Sequence, residues 1–378
     1  MYVDRVLSLH HDLQSRSVFL FGPRQTGKTT LLRQRYPDAF WVNLLDGRQF
    51  LKYSAEPWRL SEETTNLASG SIVVIDEIQR LPSLLNEVHN LIEAKDLRFV
   101  LTGSSPVKLR RGGVNLLGGR ARVRYLSPLV FPEIPEWNLD RITTIGTLPS
   151  VYLSDEPWED LRSYAGLYLQ HEVQAEGLVR GIDGFSRFLH TAAHTAGQQV
   201  VFEQIASDAQ VPARTVREYF GILEQTLIGR MVLPYRPKTR VSRKPVSRAK
   251  FFFFDIGVVQ ALTGRRTVAP GTPEYGNALE QYLFTELDSW ARYQRLDTPV
   301  AFWRTTDERE VDFVIPGHFA VEVKASGSVG PNDLKGLMAL REDEPDLTPI
   351  LVCREDTPRV VDGIEVLPVR AFLERLWG

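Results

Sequence analysis

The first third of the chain alternates short apolar runs with polar stretches marked by glycine and proline. Residues 17–21, 40–44, 70–75 and 98–101 are such runs. The β-branched stretch Ile72-Val73-Val74-Ile75 predicts a central parallel strand buried on both faces. Between runs, Leu84, Leu85, Val88, Leu91 and Ile92 recur at helical spacing and predict a helix laid over that sheet. From about 137 to 196 the pattern turns helical, with Leu161, Tyr164, Leu167, Tyr168 and His171 on one face. Residues 200–206 and 211–223 read as two short helices joined by a tight turn. Near the C-terminus, a helix opening at Tyr275 precedes three strand-like segments, Ala301–Arg304, Glu310–Ile315 and 319–324, which read as a meander. The fold class is α/β.

A length of 378 residues implies two or three domains. Hydrophobic residues at 43% and charged residues at 24% are those of a soluble globular protein. With a net charge of −2 there is no global basic signature, so a nucleic-acid surface has to be a local patch. The single cysteine, Cys353, excludes an internal disulfide and a cysteine-cluster metal site, and it suits a reducing, cytoplasmic setting. The N-terminus lacks the apolar core of a signal peptide. No stretch approaches the roughly 18 apolar residues that span a bilayer, so no membrane partner is expected. His171, His190 and His194 are too scattered for a metal site.

Candidate chemistry begins just after the first apolar run. Gly22, Pro23, Arg24, Gln25, Thr26, Gly27, Lys28, Thr29 and Thr30 carry the spacing Gly-x-x-x-x-Gly-Lys-Thr, a cradle for the phosphates of ATP. The glycines let successive N–H groups turn inward. Lys28 is expected on the β and γ phosphates and the Thr29 hydroxyl on Mg²⁺, at the positive end of the following helix. Asp76 and Glu77 end the β-branched run. At the C-terminal edge of an α/β sheet, Asp76 is placed to hold Mg²⁺ directly or through water and Glu77 to polarise an attacking water. The bland reading of this pair is an acidic cap on the next helix. Ser104 or Thr102, ending the run at 98–103, are candidates to contact the γ-phosphate or that water.

Gly22-Pro23-Arg24-Gln25-Thr26-Gly27-Lys28-Thr29-Thr30, Ile75-Asp76-Glu77-Ile78-Gln79, Leu101-Thr102-Gly103-Ser104-Ser105, Gly118-Gly119-Arg120 and Ser127-Pro128-Leu129-Val130-Phe131-Pro132-Glu133 together resemble the AAA-type ATPases that carry a C-terminal DUF4143 region. The likeness covers nearly the whole chain. It implies an ATPase, a P-loop NTPase core of AAA type, with a nuclease-like C-terminal domain, and it suggests assembly into a homo-oligomer. Thr26 stands where the family more often has Val, and Gly119 where Ala is usual. On the motif, Arg120 is the candidate arginine for the γ-phosphate, in cis or from a neighbouring subunit; against it stand Arg110, Arg111, Arg122 and Arg124 in the same stretch, for any of which a simply solvated charge is the alternative. The expected division is an ATPase core over 1–136, a helical lid over 137–196, a winged-helix-like module with a basic loop over 197–265, and a PD-(D/E)xK nuclease-like domain over 266–378.

In the winged-helix-like module, Arg214, Thr215, Arg217 and Glu218 face outward while Val216, Phe220 and Leu223 pack inward, and Met231-Val232-Leu233 begins a wing. Residues 236–250 hold seven basic and no acidic side chains, a phosphate-binding ladder or a solvated loop. The partner is then DNA or RNA, with DNA favoured. Further on, Asp312, then Glu322-x-Lys324, preceded by Glu280 on a helix, matches the PD-(D/E)xK nuclease pattern. Asp312 and Glu322 are expected to hold Mg²⁺ or Mn²⁺, with Glu280 completing the site and Lys324 beside the reacting water. The alternatives are an ordinary Glu322–Lys324 ion pair and an inactive C-terminal domain. The combined expectation is an ATP-hydrolysing protein acting on nucleic acid with a metal-dependent nuclease domain; the rival is a nucleotide-dependent switch or a DNA-binding regulator whose C-terminal domain is catalytically silent.

Overall fold

A computed structural model describes residues 2–107, 109, 117–168, 181–237 and 246–378. Arg110, Arg111, His171 and the stretch 238–245 of the basic run lie outside the described residues. The chain divides into two compact units, Met1–Pro128 with Gln225–Ile228, and Leu129–Glu224 with Gly229–Gly378.

In the first unit the apolar runs become strands β1 (Ser17–Phe21), β2 (Phe40–Asn43), β3 (Ile72–Asp76), β4 (Arg98–Gly103) and β5 (Ala121–Tyr125). They form one parallel sheet in the order β2-β3-β4-β1-β5. β1 is buried along its whole length and lies between β4 and β5, which is why its sequence shows no polar alternation. Phe19, Phe21, Val73, Ile75, Phe99 and Leu101 share a core with Leu85, Val88 and Leu91 of the predicted covering helix, α2 (Leu85–Lys95), and with Leu84 just before it; α2 follows α1 (Lys28–Arg35) in the chain. β5 is a half-buried edge strand on which Arg122 and Arg124, two positions apart, share a face. Both reach Asp12, which is fully buried: Arg122 Nη1 at 2.8 Å, Arg124 Nη2 at 2.7 Å. These two arginines are therefore structural ion pairs rather than solvated charges.

The second unit combines helices with a mixed sheet. Helix α3 (Leu139–Ile145) starts on the Asn138 side chain, which accepts from Arg141 N, and α4 (Ile182–His194) buries Phe185, Phe188 and Leu189. The two short predicted helices are α5 (Phe202–Ala209) and α6 (Ala213–Gln225). An antiparallel hairpin follows, β6 (Gly229–Val232) with β7 (Lys250–Phe253), in the place expected of a wing. After α7 (Ile256–Thr263), the long helix α8 (Pro273–Tyr293) is capped by Thr272 and has Pro273 at its first position, as the sequence favours. The sheet runs β12 (Arg359–Val361), β13 (Ile364–Pro368), β11 (Thr348–Cys353), β10 (Phe319–Val323), β9 (Glu310–Ile315), β8 (Ala301–Arg304). β8, β9 and β10 form the predicted antiparallel meander. It is extended by β11, parallel to β10, and by β12 and β13. Helix α9 (Lys335–Asp343) contributes Leu337, Ala339 and Leu340 to the core of this sheet.

Candidate functional site

The phosphate loop leaves the buried end of β1. A Cβ at Gly22 would lie 2.4 Å from the Leu126 carbonyl oxygen, so only glycine lets the loop lie this close to the segment after β5. Gly27 takes φ +90°, the left-handed region, immediately before α1 begins. Lys28 is buried and curls over the loop, donating to the carbonyls of Gly22 (2.7 Å) and Pro23 (3.0 Å). Thr26 donates to Pro23 O at 2.8 Å and so ties the loop to itself. Gln25 and Thr30 are exposed, and Arg24 is half-buried.

The Asp76 carboxylate at the end of β3 comes to this loop. Thr29 Oγ1 donates to Asp76 Oδ2 at 2.8 Å, across 47 positions of sequence. The other Asp76 oxygen accepts from the Thr102 hydroxyl on β4, and Thr102 Oγ1 accepts from Glu77 N at 3.0 Å. Thr102 thus holds the Asp76 carboxylate and the Glu77 backbone. Glu77 sits at φ +62°, outside regular helix or strand, with Oε2 receiving Gln79 Nε2 at 2.6 Å; the same amide lies 3.4 Å from Ser104 Oγ. The helix-cap reading of Glu77 does not hold, since its side chain makes no cap hydrogen bond.

Arg120 is not brought to the loop. Its carbonyl accepts from Ser17 N, at the start of β1, whereas the loop leaves at the end of that strand. A five-residue strand separates them by roughly 17 Å. The guanidinium instead pairs with Glu93 of α2. The in-cis reading of Arg120 is corrected: in a parallel sheet a residue just before an edge strand lies on the edge opposite the ligand.

Arg5 is a loop residue that pattern reading missed. It is 5% exposed, and its fork donates to Thr26 O (2.6 Å), Ser127 O (2.7 Å) and Pro128 O (3.0 Å). One guanidinium therefore ties the phosphate loop to the segment beyond β5.

The second constellation lies in a groove of about 880 Å³ on the meander. Alternation puts Glu310 and Asp312 on one face of β9; β10 supplies Glu322, with Lys324 just past its end, and α8 adds Glu280. Lys324 Nζ meets Glu322 Oε1 at 2.6 Å, while Asp312 Oδ2 accepts from Val323 N at 2.8 Å. All the predicted groups thus line one groove, with a cation among them that the sequence reading assigned elsewhere. Lys250, 4% exposed, lies 2.9 Å from Glu280 Oε1, 2.8 Å from Glu310 Oε1 and 3.8 Å from Asp312 Oδ1. Burial opposes its charge, but Glu280, Asp312 and Glu310 outweigh burial and hold its pKa above the usual value. Burial pushes Glu280, Asp312 and Glu322 upward, and the lysines offset only part of that rise.

The fit to a metal is poor. Among the described residues no group of three or more His, Cys, Asp or Glu side chains is disposed to hold a metal ion. Glu280 and Asp312 face the Lys250 ammonium while Glu322 faces Lys324, so the three carboxylates are divided between two lysines. The expected ligation of Mg²⁺ or Mn²⁺ by Glu280, Asp312 and Glu322 is not what this arrangement presents. Lys250 is also removed from the phosphate-binding ladder, in which Arg236 and Arg248 are exposed. On α6, Arg214 pairs with Glu218 at 3.2 Å and Arg217 with Glu203 at 3.1 Å, so neither outward arginine stands alone.

The parallel sheet, the loop at the end of its β1 strand and the acids on β3 define a P-loop NTPase core of AAA type. Family models agree along the chain: an AAA domain matches residues 14–135, a domain of unknown function (DUF8612) residues 136–269, and a second (DUF4143) residues 275–372. The chain is an AAA-domain protein with a C-terminal DUF4143 domain. It is 25% identical over 311 residues to the uncharacterized protein Rv2008c of Mycobacterium tuberculosis, covering 79% of this chain and 67% of that one. Among solved structures, a RuvB variant from Thermotoga maritima matches at 16% identity and TM-score 0.27, over 64% of this chain and 88% of that one. The replication initiator DnaA bound to AMPPCP and single-stranded DNA matches at 12% identity and TM-score 0.30, over 59% and 90%. No helix among the described residues is long and apolar enough to cross a membrane.

Proposed function

We propose that this protein binds ATP with Mg²⁺ at the Gly22–Thr29 loop, hydrolyses it, and uses the cycle as a switch. The observation that carries this reading is the 2.8 Å contact between the Thr29 hydroxyl and the Asp76 carboxylate, which joins the two groups expected to hold Mg²⁺. When bound, Mg²⁺ would neutralise phosphate charge and hold the transferring group in line. Lys28 supplies a buried positive charge at the loop. Glu77 is the group to polarise water, and Gln79, through its amide on Glu77 Oε2, determines where that carboxylate points. Ser104, next to the Gln79 amide, is within reach of the same region. Arg120 acts, on this proposal, only from a neighbouring copy in a homo-oligomer.

Nucleic acid, DNA before RNA, is the proposed partner of the helical module, supported by the helix pair, the wing-like hairpin and exposed Arg236 and Arg248. For the C-terminal domain, the Lys250 contacts favour the reading in which it is catalytically silent in this arrangement.

ATP turnover and ATP binding measured on wild type, Lys28→Ala and Glu77→Gln test the central claim. Lys28→Ala is expected to lose binding, and Glu77→Gln to keep binding while turnover falls at least a hundredfold. A Lys28→Ala protein that turns ATP over at the wild-type rate would sink the proposal. Binding to labelled duplex DNA between low and moderate salt tests the partner. Affinity that does not change with salt speaks against phosphate contacts by the basic segment.

A further inference from the structure

The acidic groove around Asp312 contains its own cation. Three observations converge on Lys250. First, β7 places Lys250 and Phe252 on the same face, two positions apart. Phe252 stacks on Phe284 of α8 with ring centres 4.4 Å apart, and Glu280 precedes Phe284 by one helical turn on the same face. The packing of Phe252 therefore aims Lys250 at Glu280. Second, the backbone of this strand start is fastened on both sides. Lys250 bridges to Gln199, Val200 N donates to Ala249 O at 2.8 Å, and Gly197 N donates to Phe251 O at 2.8 Å. The ammonium is a built part of the groove rather than the end of a surface loop. Third, one groove oxygen has no partner: Glu322 is 6% exposed, and its Oε2 receives no hydrogen bond. A buried carboxylate oxygen without a donor is costly unless a cation or donor arrives. The ammonium nearest the cluster, Lys250, is spent on Glu280, Glu310 and Asp312.

We propose that Lys250 is a tethered stand-in for a divalent cation: it balances the acids of this groove and excludes a metal ion until the Lys250 side chain withdraws. This inference deepens the silent-domain reading given above and rests on it. A divalent ion entering the groove needs the oxygens of Asp312 and Glu322 turned toward one point, and Lys250 keeps Asp312 and Glu280 turned toward itself. Lys324, already on Glu322, would stay beside the ion.

The test is Mn²⁺ binding to the full-length, nucleotide-free chain, followed by paramagnetic resonance of free Mn²⁺ and by thermal unfolding with and without Mn²⁺. Leaving ATP out separates this result from the ATPase reading, which stands or falls on the turnover assay. Wild type is expected to show no saturable site attributable to the groove and an unchanged melting temperature. Lys250→Ala is expected to gain one site at least tenfold tighter, to melt lower than wild type in chelator, and to recover on adding Mn²⁺. Adding Asp312→Asn to Lys250→Ala should abolish the gained site. Should Lys250→Ala fail to fold, Lys250→Met with Glu310→Gln keeps the volume, removes one acid, and is expected to gain the same site. The proposal is overturned if wild type binds Mn²⁺ within threefold of the folded variant in an Asp312-dependent manner. It is equally overturned if the folded variant gains no site.

Discussion

Replacing Arg5 with alanine probes how far the phosphate loop depends on a residue outside its own motif. The guanidinium donates to three backbone carbonyls, of Thr26, Ser127 and Pro128, and is almost wholly buried. A hydrogen bond from a charged donor contributes about 1.5–3 kcal/mol, and a buried acceptor left without a partner loses a similar amount. The three bonds share one group and do not add in full, so the expected loss is about 3–5 kcal/mol for the first unit. At roughly 4 °C per kcal/mol for a domain of this size, its melting transition should fall by about 12–20 °C. The loop would also lose the anchor at Thr26 that holds it in place before nucleotide arrives. Ordering even one freed residue on binding costs about 1–2 kcal/mol, so ATP affinity should weaken roughly tenfold. Differential scanning calorimetry and titration of a fluorescent ATP analogue read the two effects. Arg5→Lys is the control, because an ammonium cannot span all three carbonyls as the planar fork does; it should recover part of the stability and little of the affinity. A first transition lowered by less than about 3 °C, together with ATP affinity within about twofold of wild type, would refute the clamp on the magnitudes above.

The remaining predictions concern buried charge. Asp12→Asn leaves the part-exposed Arg122 and Arg124 facing a neutral amide, and losing hydrogen bonds between charged groups costs about 1.5–3 kcal/mol; urea unfolding of the full chain should show the first unit losing about that much, while a loss under about 0.5 kcal/mol would mean the pairs are incidental. Glu286 of α8 is buried beneath Phe131 N and Trp377 Nε1, and burial lifts its pKa to about 8. The sign follows from a folded value above the unfolded one: the native state keeps the proton where the unfolded chain has lost it. Its stabilising contribution is whole below about pH 4, near the unfolded carboxylate value, and is lost as the pH rises through about 8. Glu286→Gln, neutral at every pH, should flatten that part of the stability profile of the second unit and make the variant more stable than wild type at pH 9; identical slopes for the two proteins would show that Glu286 is ionised in the fold.

The candidate sites separate what sequence pattern carries from what it hides. The phosphate loop was legible because its signal is local: two glycines, a lysine and a hydroxyl within eight positions, with an apolar run before and a helix after. The acids at 76 and 77 were legible because an unalternating β-branched run fixes where a parallel strand ends. Arg5 was not, since its partners lie 21, 122 and 123 positions away and a lone arginine near the N-terminus looks like any surface charge. Arg120 was misplaced for a related reason: the motif supplied a residue type, but only the register of Ser17 with Ala121 shows which edge of the sheet it occupies. Lys250 is the most instructive case. Composition grouped it with six other basic residues and read all seven as one ladder, yet the ladder ends where Phe251-Phe252-Phe253-Phe254 begins, and a residue one place before an unbroken aromatic run belongs to the strand. In a strand buried on both faces, a lysine has to meet acids wherever it points. Counting charges over the window concealed that constraint, whereas asking which face of the coming strand each residue joins would have separated Lys250 from its neighbours and set it opposite the carboxylates of α8 and β9.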